Sequence, residues 1–333
     1  MSCLALVTLL VHGAEETLIY VSNEDSNSVS VISGTSNQVI ATIPVGKRPR
    51  GIRISPDGRT LYVALSGTPK CPPGMSDEEC GKTAADKSAD GIAEVDVMSR
   101  KVLRILPSGS DPEQFDIDWS SGRLYVSNED THMASILDIR QGKVLMSVPT
   151  GHEPEGVRLS PDGSVFYVTG EVDGDVTVIN AADGREITRI KVGLRPRDVV
   201  FSSDGSRAYV SAELGRSIAV IDTGSYSVIR QIQLPEPSLP MGLVLSKDET
   251  TLYVANGRGR TVVAIDLNSD TITHTLEVGP RPWGLVMDLE GTRLYSANGP
   301  SDDVTVIDIG SFEILNRIPV GKTPWGVAAG PVP

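Results

Sequence analysis

The chain has 333 residues and a formal net charge of −13, with 39% hydrophobic and 22% charged residues. That composition supports a packed core and argues against disorder. The sequence has no lysine/arginine block, which argues against a nucleic-acid binder.

At the start of the chain, Leu4 to Val11 is a short apolar run followed by small residues. It predicts a signal peptide over residues 1–14, although no Lys or Arg precedes it. The expectation is an exported, periplasmic protein. Removal of that segment takes Cys3 with it and leaves Cys71 and Cys80, a pair that fits one disulfide in an oxidising compartment. No segment is long and apolar enough to span a bilayer.

Residues 15–333 read as one domain built from a repeat. A Pro-containing loop leads into a short apolar strand, a Pro/Ser-Asp-Gly turn, a Tyr-Val strand, a polar loop and a Val-Ile-Asp strand. The loop prolines are Pro49, Pro112, Pro154, Pro196, Pro240, Pro282 and Pro324, spaced 63, 42, 42, 44, 42 and 42 residues apart. Seven units with this period predict an all-β, seven-bladed propeller of four-stranded antiparallel blades. The chain enters on a second strand, Leu18-Ile-Tyr-Val21, and ends on a first strand, Trp325-Gly-Val-Ala-Ala329. The last strand is therefore expected to join the N-terminal blade and close the ring. The long spacing of 63 marks an insertion at about 66–90, beside the mouth of the central channel. Loops on a rigid scaffold often carry function.

Leu61-Tyr-Val-Ala64, Leu252-Tyr-Val-Ala-Asn256, Val304-Thr-Val-Ile-Asp308 and Ile318-Pro-Val-Gly321 carry a resemblance to the YVTN-repeat β-propeller family. With the insertion Cys71-Pro-Pro-Gly-Met-Ser-Asp-Glu-Glu-Cys80, the chain more narrowly resembles the PQQ-dependent catabolism-associated β-propeller proteins. That resemblance implies a place beside quinoprotein alcohol oxidation or transport, and it supplies no activity of its own.

The loop prolines also organise the candidate site. Arg48, Asp111, Glu153, Arg195, Leu239, Arg281 and Thr323 precede them, and Arg50, Glu113, Glu155, Arg197, Met241, Trp283 and Trp325 follow. The mouth thus has a charged arc and an apolar, aromatic arc. Arginines suit carboxylate or phosphate ligands, and tryptophans offer stacking faces. In the alternative reading these arginines pair with the neighbouring carboxylates. Deeper in the channel, Arg53, Asp116 and Arg158 predict an alternating charge row. His132 and His152 fall in loops on the channel face, while His274 belongs to the opposite side or an outer strand.

No c-type haem, zinc, nucleophile-elbow or P-loop motif is present. No catalytic or metal-binding residue is assigned. The chain therefore points to a non-catalytic binding or accessory protein rather than an enzyme. Its expected partner is a small anionic molecule, PQQ included, or a periplasmic protein such as a quinoprotein dehydrogenase or transporter component. Two other readings stand beside this one. The first is a metal-dependent, lactonase-like hydrolase, for which Glu24, Asp25, Glu129, Asp130 and Asp173 offer carboxylates. The second is a protein-interaction scaffold.

Overall fold

Repeated Tyr-Val and Val-x-Val runs are apolar on both faces, so each must lie between two other layers. The computed structural model, which describes residues 16–70 and 84–333, places them so. Seven four-stranded antiparallel sheets form seven blades. The seven first strands surround the axis: β4 (Pro49–Ile54), β8 (Pro112–Asp118), β12 (Pro154–Leu159), β16 (Pro196–Phe201), β20 (Pro240–Leu245), β24 (Pro282–Met287) and β28 (Pro324–Pro331). The segment expected to be a signal peptide and the Cys71–Cys80 pair expected to form a disulfide lie outside the described residues.

The N-terminal blade has the order β28, β1 (Thr17–Asn23), β2 (Ser28–Ser33) and β3 (Gln38–Pro44). Its first strand comes from the C-terminus, as the phase of the repeat predicts, with Tyr20 opposite Ala328. All seven residues of β1 are buried. Successive side chains of a strand point to opposite faces, and here they enter different cores. Tyr20 packs with Ile52 and Val63 of the following blade, while Ile19 and Val21 pack with Tyr295 and Val306 of the preceding one. A single blade could not bury both faces.

Local turns agree with this plan. Ser55 Oγ donates to Asp57 Oδ1 at 2.6 Å and accepts from the Thr60 N–H at 2.9 Å. Gly58, at φ +71°, supplies the left-handed residue that such a turn requires.

The first strands crowd the axis. A Cβ on Gly51, Gly156, Gly242, Gly284 or Gly326 would stand 2.3–2.6 Å from a backbone oxygen of the next first strand. No side chain tolerates that contact, so glycine two residues after the loop proline sets how closely these blades approach. The two exceptions are Gln114 and Asp198, in β8 and β16.

Deleting residues 324–333 should leave β1 without its inner partner and expose two faces of core. The expected outcome is loss of the cooperative urea unfolding transition. A truncated chain that unfolds with the full-length midpoint would contradict closure by β28.

Candidate functional site

Each loop proline opens a first strand, so its two neighbours stand at the channel mouth. The residue before it is left-handed in six of the seven loops: Arg48, Asp111, Glu153, Arg195, Arg281 and Thr323 have φ between +41° and +59°. None is glycine, and each such residue carries a conformational cost of about 1 kcal/mol or more.

The charged arc resolves into two buried lattices, each centred on an arginine that follows a loop proline. Arg50 is 3% exposed. It bonds Asp111 at 2.9 Å, contacts Glu113, and lies 3.7 Å from Glu24 and 3.6 Å from Glu129. Arg48 joins Glu24 at 2.9 Å. Burial pushes the Glu24 carboxyl up, but Arg50, Arg48 and Lys70 outweigh it and hold that group below its ordinary value.

Arg197 is the second hub. It binds Glu155, Glu171 at 2.6 Å and Glu213 at 2.9 Å, and Arg195 binds Glu171 as well. Arg258 adds a third cation at the edge, 3.9 Å from Glu213. Burial and the neighbouring Glu155 raise the Glu171 carboxyl to about 9. Two carboxylates this close on one guanidinium disfavour ionisation of both, and it is Glu171 whose titration moves up. Burial works against the Arg197 charge, but its three carboxylates more than compensate and raise its pKa.

The ligand-facing expectation for Arg50 and Arg197 is thus corrected: both are consumed by carboxylates. Arg281 differs. It makes no ion pair among the described residues and lies 5.0 Å from the Trp283 ring. Arg197 lies 5.5 Å from the same ring. Trp283 stacks on Trp325 at 5.3 Å, while Met241 is buried. Glu153 also has no ion pair among the described residues.

Sequence reasoning assigned no role to Glu171 and Glu213, and considered Glu24 and Glu129 only as metal ligands. A signal for all four exists. They directly follow the second strands β1, β9 (Arg123–Asn128), β13 (Val165–Gly170) and β17 (Arg207–Ala212). They therefore share one repeat position, which is Ser66, Gly257 and Gly299 in the other blades.

The charge row is present but differently paired. Arg53 meets Asp116 at 3.4 Å. Asp116 does not bridge to Arg158; its second oxygen accepts the Leu159 N–H at 3.0 Å. Arg158 instead pairs with Asp198 at 3.7 Å, and Asp198 in turn accepts the Leu243 N–H at 3.0 Å. The carboxylates tie one first strand to the next as well as balancing the arginines.

The two loop histidines come together, with ring centres 4.9 Å apart. His132 Nδ1 accepts the Glu153 N–H at 3.2 Å, which assigns its proton to Nε2. His152 has the opposite arrangement. Its Nδ1 lies 3.0 Å from Asp173 Oδ2, which places the proton on Nδ1 and leaves Nε2 as an acceptor. Asp173 also takes the His152 N–H at 2.7 Å. The His152–Glu153 loop is joined to the next one by the Glu171 N–H to Glu153 O bond, 3.0 Å long. His274 lies on an outer strand, β23 (Thr271–Glu277), away from the mouth.

The described ends of the insertion border the first lattice. Thr68 O accepts from Arg48, Ser66 Oγ donates to Asp111, and Lys87 meets Asp130. These described ends stand beside the mouth.

Among the described residues, Asp111, Glu113 and Glu129 bring carboxylate oxygens within 4.8 Å of one another. Three oxygens suit a hard divalent cation. Arg50, however, already bonds Asp111 and Glu113 and lies beside Glu129. A second cation would have to displace a buried guanidinium, so these residues do not fit a metal.

The site is therefore a propeller-mouth arginine–carboxylate centre with a carboxylate-oriented histidine, set above a channel cavity of about 550 Å³. Residues 185–314 match the sequence model of the family described as "Lactonase, 7-bladed beta-propeller". No match was found among curated proteins. Among solved structures, the chain is similar to a candidate 6-phosphogluconolactonase from Bacteroides fragilis, with 16% identity, 95% of this chain and 98% of that one covered, and a TM-score of 0.75. It is also similar to a protein of unknown function from Desulfotomaculum acetoxidans (19% identity, 95% and 99% covered, TM-score 0.76). A third similar structure is Kuenenia stuttgartiensis hydrazine synthase (21% identity, 84% and 88% covered, TM-score 0.70). At these identities the structural likeness is one of fold. The lactonase match corrects the expectation of a non-catalytic, PQQ-linked accessory protein and favours the hydrolase alternative.

Arg197→Ala should leave Glu155, Glu171 and Glu213 buried without their hub. A loss of roughly 3–5 kcal/mol is expected, read as the shift in the denaturant midpoint. A change below about 1 kcal/mol would show that the lattice is not a buried ionic unit.

Proposed function

We propose that the chain hydrolyses lactones at the channel mouth without a metal. The observation that carries this reading is the buried Glu155 and Glu171 carboxylates gathered on Arg197, close along the chain to the Asp173–His152 pair, in a protein whose residues 185–314 match a lactonase family.

The chemistry needs three roles. A base must take a proton from the attacking water, and His152 Nε2 is free to accept it. Asp173 fixes the ring in that tautomer and stabilises the imidazolium that forms. Negative charge then develops on the carbonyl oxygen, and the guanidinium of Arg281, which makes no ion pair among the described residues, is the donor suited to it. Finally the ring C–O bond breaks, and its oxygen needs a proton. Glu171, whose titration is raised, is suited to give it, and the neighbouring Glu155 lines the cavity. The products are the alcohol and acid ends of one opened molecule.

His152→Ala should lower kcat for lactone hydrolysis by roughly 10²–10⁴-fold with little change in melting temperature, because that side chain is exposed. The acid must be protonated to act, so activity should fall as pH rises through the raised Glu171 titration, about 9. Glu171→Gln should remove that alkaline limb and lower kcat. A lactone panel with no turnover, or wild-type rates in His152→Ala, would sink the reading. EDTA should leave the rate unchanged.

A further inference from the structure

Resting on that hydrolase reading, we infer that the substrate is an amphiphilic lactone whose hydrocarbon tail occupies the central channel beneath the charged mouth. The cavity continues down the first strands, from Glu155, Arg197 and Trp283 at the mouth to Phe201 and Ala329 at the far end. Its walls change character with depth. The mouth carries the arginine–carboxylate centre and the Trp283–Trp325 pair. Four residues below the loop prolines, consecutive blades present Val200, Val244, Val286 and Ala328, and all four line the cavity.

The opposite wall carries charge, but that charge is spent. Arg53 is matched by Asp116 and Arg158 by Asp198. The remaining oxygens of both aspartates hold backbone N–H groups. On this wall each guanidinium is thus balanced by a carboxylate. The arc from Val200 to Ala328, across the channel, offers a polar substrate no partner. An alkyl chain would gain from the depth, because each methylene moved out of water contributes favourably. A six-residue strand spans roughly 20 Å, which leaves room for a tail well beyond the lactone ring. The tryptophan pair at the neck suits the junction between a polar head and an apolar tail.

The test uses a series of γ-lactones that differ only in alkyl length, with the matching alkyl carboxylates titrated by calorimetry. We expect kcat/KM to rise roughly fourfold per added methylene until the channel is filled. Carboxylate affinity should rise in parallel, with an increasingly negative heat-capacity change. Val244→Phe narrows the channel and Val286→Asn makes its wall polar. Each should lower the ratio of long-chain to short-chain kcat/KM at least tenfold, with folding checked by the melting transition. Turnover and binding that ignore chain length would overturn the tail site while leaving the hydrolase reading intact. Chain-length-dependent carboxylate binding without any lactone turnover would support the tail site and overturn the hydrolase reading. Variants that fold and keep the wild-type length dependence would place the tail outside the channel and overturn the proposal.

Discussion

Everything in this protein depends on how closely seven first strands can approach one axis. Glycines two residues after the loop proline allow backbone to meet backbone in five of the seven contacts. That crowding leaves no room for side chains at the inner turn. The residues flanking each proline must therefore project into the mouth, and those lower on the strand into the channel. Apolar strands that must be buried on both faces force the ring to close, and closure by β28 fixes the registration of all seven positions at the mouth.

Chemical asymmetry is then written onto a symmetric frame. The position after each second strand is acidic in four blades, serine in one and glycine in two. The two glycines, Gly257 and Gly299, occur in the blades that carry Met241 and Trp283. Where the repeat supplies an acid there, Arg50 or Arg197 gathers it. Where it supplies glycine, the mouth is apolar or aromatic. Arg281 lies on the boundary. Its surroundings are Trp283, the arginines Arg258, Arg197 and Arg195, and the Glu213 carboxylate, with which it makes no ion pair among the described residues. Burial and the nearby Arg258, Arg197 and Arg195 lower its pKa. A guanidinium in that setting gains from an incoming anion or oxyanion more than one already paired does.

The fold was legible because its signals are local and repeated seven times. Proline spacing, the Tyr-Val strand and the phase of the termini gave blade number and closure without any long-range information. The site was legible only in part. Reading the residues beside the prolines found Arg50, Arg197, Glu155, Trp283 and Trp325, because those positions are marked. It did not assign Glu171 or Glu213 to Arg197, because no proline stands beside them. It also placed Asp116 between two arginines by counting along equivalent positions. The second arginine went instead to Asp198, two positions higher on the next first strand, where Asp replaces the usual glycine. Periodicity predicts which residues share a level of the channel, and it does not decide how side chains reach across levels. The accessory role drew on family resemblance rather than on site chemistry, which is why a match over residues 185–314 could overturn it without disturbing the fold.

Closure alone does not require the charged arc. The loop before β20 ends on Leu239, and its blade joins the ring with no buried arginine hub. In the other half of the mouth the protein desolvates two arginines and a set of carboxylates, an arrangement that packed apolar residues often match or exceed in stability. It also holds Arg48, Asp111, Glu153 and Arg195 in left-handed backbone, a conformation that costs energy at each position. Left-handed backbone recurs at Arg281 and Thr323, so it belongs to the loop in general, whereas the buried arginine hubs are confined to one arc. Those hubs have a chemical consequence: burial and Glu155 raise the Glu171 carboxyl beside Arg197. A carboxyl shifted in this way is what the proposed hydrolysis rests on, and packed apolar residues at the same positions would not supply it.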